Sequence, residues 1–161
     1  MDYQLIIWYV LYGVTLLLSV FIAYRGINSE FYKKLVMPTW APSFLAAVII
    51  TLIVYGLSYA GLYIMYSKVG EPANFNPGHT SFIFAISLLL SIVGLLWFLV
   101  FFNFQGLKTS LFVIAALIGV SLYYTYLIFQ YTVLGGFLQI PFILWLGVYL
   151  ALNADYVNLN S

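Results

Sequence analysis

Cysteine is absent from this chain and charge is scarce. Without a thiol there is no disulfide framework, thiolate metal site, iron–sulfur cluster or cysteine nucleophile. Five Lys/Arg and four Asp/Glu make up 6% of 161 residues, whereas an ordinary soluble domain carries about a quarter, and that excludes a water-soluble globule. A net charge of +1 provides no basic surface for a phosphate backbone, so nucleic acid is excluded as a partner. The single histidine, His79, cannot build a metal site alone. What the chain has in quantity is apolar and aromatic side chains, at 65% and 20%, with a mean hydropathy of +1.10.

A helix needs about 20 mostly apolar residues to cross a hydrocarbon core of about 30 Å. Five uncharged stretches reach or approach that length: 5–24, 44–66, 81–104, 110–131 and 137–154, the last containing Pro141. All nine charged residues lie outside them. Lipid cannot satisfy free backbone groups, so such stretches must be helices. The expectation is an all-α integral membrane bundle of five transmembrane helices, forming a single domain over residues 1–161. Asp2 stands where a secretory signal would be basic, and no small-residue cleavage site follows, so the first stretch reads as a retained helix.

Five spans put the termini on opposite sides. Arg25, Lys33, Lys34 and Lys108 fall on the side of the C-terminus and Lys68 on the other, which predicts a cytoplasmic C-terminus. The connections 25–43 and 67–80 are long and contain Pro38, Pro42, Pro72 and Pro77, while 105–109 and 132–136 read as tight turns, the second ending in Gly135 and Gly136. Short links make sequential helices antiparallel neighbours.

No ionisable side chain lies inside a span, which argues against a proton-coupled pump, a voltage sensor or a carboxylate-ligated metal in the membrane. Asp155, one step past the last span, reads either as a solvated carboxylate or as the partner of a base on the same side. The spans contain rings and small polar groups at helical spacing instead: Thr51, Tyr55 and Tyr59; Gly94, Trp97 and Phe101; Pro141, Trp145, Tyr149 and Asn153. Such stripes either pack helix against helix or wall a cavity for a flat apolar ligand, where each aromatic pair adds about 0.5–1.5 kcal/mol beyond its area. Gly56 with Ala60, Ser87 with Ser91 and Ala115 with Gly119 allow close helix approach, within the bundle or in a homodimer. Pro38 and Pro42 bracket Trp40 and stiffen the backbone between them, as in a flap or an interfacial anchor.

The order of these motifs resembles the TspO/MBR family of tryptophan-rich sensory and translocator proteins. Phe31-Tyr32-Lys33-Lys34-Leu35 followed by Met37-Pro38-Thr39-Trp40-Ala41-Pro42 is similar to the family's W-Y-x-x-L-x-K-P-x-W-x-P-P; Gly94 to Trp97 with Phe101-Phe102 is similar to N-x-x-W-x-x-x-F-F; Pro141 to Trp145, Leu152-Asn153 and Leu159-Asn160 are similar to P-Y-x-x-W and two L-N pairs. Departures are Phe31 and Thr51 for Trp, Met37 for Lys, Ser43 for Pro, Gly94 for Asn, Phe142 for Tyr and Tyr149 for Ala, and the fourth helix lacks the acidic residue many members carry.

The resemblance implies a membrane receptor with a pocket between the helices, closed by the first loop, for tetrapyrroles such as protoporphyrin IX and heme or similar flat ligands such as sterols; synthetic isoquinolines and benzodiazepines bind some members. Transport of such molecules and light-dependent porphyrin breakdown are the alternatives. No resident cofactor is expected, porphyrin or heme being a ligand, and the partners implied are that small molecule, the bilayer and a second copy of the chain. Carried over by position, Trp97 and Trp145 are pocket walls and the electron donors of any photochemistry. Tyr32 and Pro42 are the lid and its hinge, and Thr51, Tyr55, Gly94 and Tyr149 are further lining. Lys33 and Lys34 are the cations available to a ligand carboxylate.

Overall fold

A computed structural model describes residues 3–69 and 77–160. Its helices are α1 (Tyr3–Ile27), α2 (Glu30–Lys34), α3 (Phe44–Val69), α4 (Pro77–Phe98), α5 (Leu107–Phe129), α6 (Val133–Phe137) and α7 (Ile140–Leu159), with a wider π turn over Leu99–Asn103 continuing α4. Among the described residues there is no strand. Five stretches, Ile6–Ile27, Phe44–Lys68, Thr80–Asn103, Leu107–Phe129 and Val133–Leu159, are long and apolar enough to cross a membrane. Gly70 and Pro72 of the second long connection, and the His79 side chain, lie outside the described residues.

The chain is inverted relative to a soluble bundle. Leu17, Phe21, Leu45, Phe112 and Leu144 are exposed while Thr51, Ser58, Ser87, Ser91, Ser110, Ser121, Thr125, Gln139 and Asn153 are buried. In water that surface would drive aggregation; in lipid the apolar side chains are solvated and the polar ones turn inward to find partners. Ser19 and Thr125 donate to the carbonyls four residues back, which satisfies hydroxyls that no water reaches.

Two connections differ from the sequence expectation. The first loop contains α2, because Ser29 accepts the Tyr32 amide as an N-cap, Glu30 opens the helix and Lys33 and Lys34 close it. Residues 132–136, expected as a tight turn, are largely helical: Thr132 is the N-cap of α6 and accepts from the Gly135 amide. The last span therefore begins at Val133 and is interrupted at Leu138 and Gln139. Gln105 ends the third span at φ 55, a left-handed residue followed by Gly106.

The chain forms two compact units, one of Met1–Ala41, Leu88–Leu117 and Tyr149–Ser161, the other of Pro42–Ser87 and Ile118–Val148. In the first, α1 packs on the π turn: Gly26 has no Cβ where one would strike the Phe102 ring. In the second, α3 meets α6 backbone to backbone. A Cβ on Gly61 would lie 2.6 Å from the Gly135 carbonyl oxygen, and one on Gly135 2.9 Å from that of Gly61. Of the small-residue pairs, Ser87 and Ser91 are buried, while Gly56 with Ala60 and Ala115 with Gly119 face outward.

Candidate ligand-binding site

In the first unit the π turn gathers a cluster of rings. Its wider winding is seen in the Phe104 amide, which reaches back five residues to the Leu99 carbonyl at 3.0 Å. Val100, Phe101 and Phe102 are all buried there in succession. Trp97, one turn earlier, stacks on Phe101 with centroids 5.4 Å apart and meets Phe98 and Tyr149 edge-on at 4.9 and 5.0 Å. Phe101 in turn meets Tyr156 at 5.4 Å. Gly94 is buried one turn before Trp97. The stripes of α4 and α7 therefore do meet, at Trp97 and Tyr149.

Trp97 is 5% exposed, and its Nε1–H finds no acceptor among the described residues. A buried donor left unpaired costs about 1–3 kcal/mol, and such groups in folded proteins call for an explanation.

The first loop is fastened to the end of α7. Tyr32 packs on Phe102 at 5.5 Å and its hydroxyl lies 3.1 Å from that of Tyr156. The Val36 amide donates to Asn160 Oδ1 at 2.7 Å, and Asn160 Nδ2 donates to the Val36 carbonyl at 3.0 Å. Trp40 Nε1 donates to Asp155 Oδ2 at 2.7 Å. The carboxylate expected to be solvated or paired with a base thus holds the loop's indole. Lys33 pairs with Glu30 at 3.2 Å, and both it and Lys34 are exposed. Asn153, also on α7, accepts from Ser110 Oγ at 2.8 Å and donates to the Leu107 carbonyl at 3.0 Å, tying α7 to the start of α5.

In the second unit α3 and the last span form a seam of rungs. Gly61 faces Gly135. Gln139, wholly buried, donates from Nε2 to the Ser58 carbonyl at 3.0 Å and the Gly135 carbonyl at 3.3 Å, and accepts the Ser58 hydroxyl at 2.5 Å. Phe142 meets Tyr55 edge-on at 4.9 Å. Trp145 donates to Thr51 Oγ1 at 3.0 Å. Ser58 and Thr51 are seven residues apart, two turns on one face of α3. Thr51, Tyr55 and Trp145 are brought together here, and half-buried Pro42 opens this unit just before α3. Gln139, Ser58 and Tyr156 were not singled out from sequence, although the amide of Gln139 inside an apolar span was a visible signal; Phe102 entered there only through the Phe101-Phe102 motif.

Five apolar spans with polar groups turned inward define a multi-pass integral membrane protein. The TspO/MBR family model matches residues 9–158, and the chain belongs to that family. A comparison with curated proteins gives no match.

Proposed function

We propose that this protein is a membrane receptor for a tetrapyrrole such as protoporphyrin IX or heme, or for a similarly flat molecule such as a sterol. Family membership supports binding of a small hydrophobic ligand in the bilayer. The observation that carries the reading is the ring cluster around Trp97, with Phe98, Phe101 and Tyr149 at 4.9 to 5.4 Å. Rings at these separations gain from stacking on a further aromatic plane, and the surrounding apolar helices exclude water. Tyr32, held at Phe102 and Tyr156, is the part of the first loop that stands against this cluster.

The test is a titration of the detergent-purified protein with protoporphyrin IX in the dark, followed by Trp fluorescence, with Trp97→Leu and Trp145→Leu alongside. Saturable quenching that weakens in Trp97→Leu supports the reading, and the Trp145→Leu result tells whether the second indole shares in it. Linear quenching that neither variant changes means partitioning into the micelle and refutes it. Binding at 100 times the dissociation constant would also raise stability by about 2.7 kcal/mol. Flux of the same ligand in proteoliposomes separates transport from reception, and bleaching under light that needs oxygen and either indole would identify photochemical breakdown.

A further inference from the structure

Resting on that reading, we infer that Trp97 is the hydrogen-bond donor to the ligand and that the ligand offers it an uncharged acceptor: a ketone, ester, amide or hydroxyl oxygen, or a propionic acid of protoporphyrin IX or heme in its protonated form. The two indoles carried into the site by resemblance are in opposite states. Trp145 spends its N–H on Thr51 at 3.0 Å, whereas Trp97 Nε1–H is buried and has no acceptor among the described residues. Trp97 is therefore the indole with a bond still to make, and a ligand oxygen that makes it removes the penalty of a buried unpaired donor.

The charge of the acceptor follows from where the cations are. Arg25, Lys33, Lys34 and Lys108 are the basic residues of this unit, and all four are exposed. The rings packed on Trp97 belong to Phe98, Phe101 and Tyr149 and bring no positive charge. A carboxylate placed at Nε1 would lose its hydration without gaining a counter-ion, a heavy penalty for a buried ion. A carbonyl oxygen has far less hydration to lose than a carboxylate and accepts the same bond. Tyr149 is the half-buried ring on Trp97 that comes from another helix, so its rotation is the movement that opens the indole to the ligand.

Two porphyrins test this, both uncharged and sharing one macrocycle: protoporphyrin IX dimethyl ester, which carries ester carbonyls, and etioporphyrin I, which carries none. Affinities are measured in the dark for the full chain in micelles, against protein-free micelles. The ester should bind the wild type at least about tenfold more tightly than etioporphyrin, and Trp97→Phe, which keeps a ring and removes the donor, should bring the two within about twofold. Equal affinities in the wild type, or a preference that survives Trp97→Phe, overturn the donor assignment and leave tetrapyrrole binding standing. If neither macrocycle binds, tetrapyrrole reception itself fails and the donor assignment with it. A measurement on the wild type guards against misfolding of the variant. With 15N-labelled indoles, the ring current is common to both macrocycles, so one resonance should lie further downfield in the ester complex than in the etioporphyrin complex. It should be none of those assigned by loss in Trp8→Phe, Trp40→Phe and Trp145→Phe. That difference between the ester and etioporphyrin complexes, found at one of those three instead, refutes the assignment.

Discussion

Two glycines on one helix should respond in opposite ways to the same added methyl. Gly61 faces α6, where a Cβ would lie 2.6 Å from the Gly135 carbonyl oxygen and would also strike Gln139 Nε2. The side-chain amide could swing away only by giving up its bonds to Ser58 and Gly135, and the backbone oxygen can move only if α6 leaves α3. Overpacking of a rigid contact costs about 1–3 kcal/mol. Loss of an interhelical hydrogen bond in a membrane adds about 0.6 kcal/mol, at most about 1.7. Gly61→Ala should therefore destabilise by about 2–4 kcal/mol, with the upper end requiring that the amide bonds break as well. Gly56, five residues earlier on α3, is exposed and has nothing within 4 Å of a Cβ. There Ala adds helix propensity and should stabilise by up to about 1 kcal/mol. Reversible unfolding of both variants in mixed micelles of SDS and a mild detergent reads the difference directly. If Gly61→Ala falls within about 0.5 kcal/mol of Gly56→Ala, the backbone contact between α3 and α6 is not as close as described.

Four further outcomes follow. Thr51→Val keeps the shape and removes the acceptor of the Trp145 indole, so it should cost about 1–3 kcal/mol in the same unfolding assay, while Thr51→Ser should be closer to neutral. Asn160→Ala frees the Val36 amide from its only side-chain acceptor shown, and hydrogen exchange at Val36 should speed up with little change in α3. Tyr149→Ala removes the ring that lies 5.0 Å from Trp97 and should raise the on-rate of protoporphyrin IX dimethyl ester more than its equilibrium affinity, as read by stopped-flow quenching. Because the chain has no native cysteine, single replacements report topology cleanly: an impermeant maleimide added to intact cells should label Ser67→Cys and spare Glu30→Cys if the C-terminus is cytoplasmic.

The spans were legible because the bilayer imposes a length and an absence of charge, and both can be counted along the chain. Partners across helices were less so. The i, i+4 steps of α7 gave the stripe of Trp145, Tyr149 and Asn153 correctly as one face, yet Trp145 bonds Thr51 in one unit while Tyr149 and Asn153 meet Trp97 and Ser110 in the other. Periodicity specifies direction and says nothing of depth along the axis. The helical character of 132–136 was hidden because two adjacent glycines signal a turn in isolation; here they are where other groups come closest, Gly135 to the Gly61 backbone and Gly136 to the Phe129 ring. The loop's attachment was legible only in part. Two prolines around Trp40 implied stiffness, but its hold depends on Asp155 and Asn160, more than a hundred residues away in the chain.

Two of the substitutions that set this chain apart from its family's pattern meet an indole, one in each unit. Where members usually carry a second indole, Thr51 supplies a small hydroxyl, and that hydroxyl takes up the N–H of Trp145. Thr51 therefore exchanges an indole for a hydroxyl and caps the N–H of Trp145. With Gly94 in place of Asn, a side-chain amide is lost from the turn before Trp97 as well. Tyr149, where a small residue is usual, brings a ring against Trp97. None of these changes supplies an acceptor to the Trp97 Nε1–H, which has none among the described residues. If Trp97 donates to the ligand as proposed, selectivity should fall on the position of a single acceptor oxygen more than on the outline of the macrocycle.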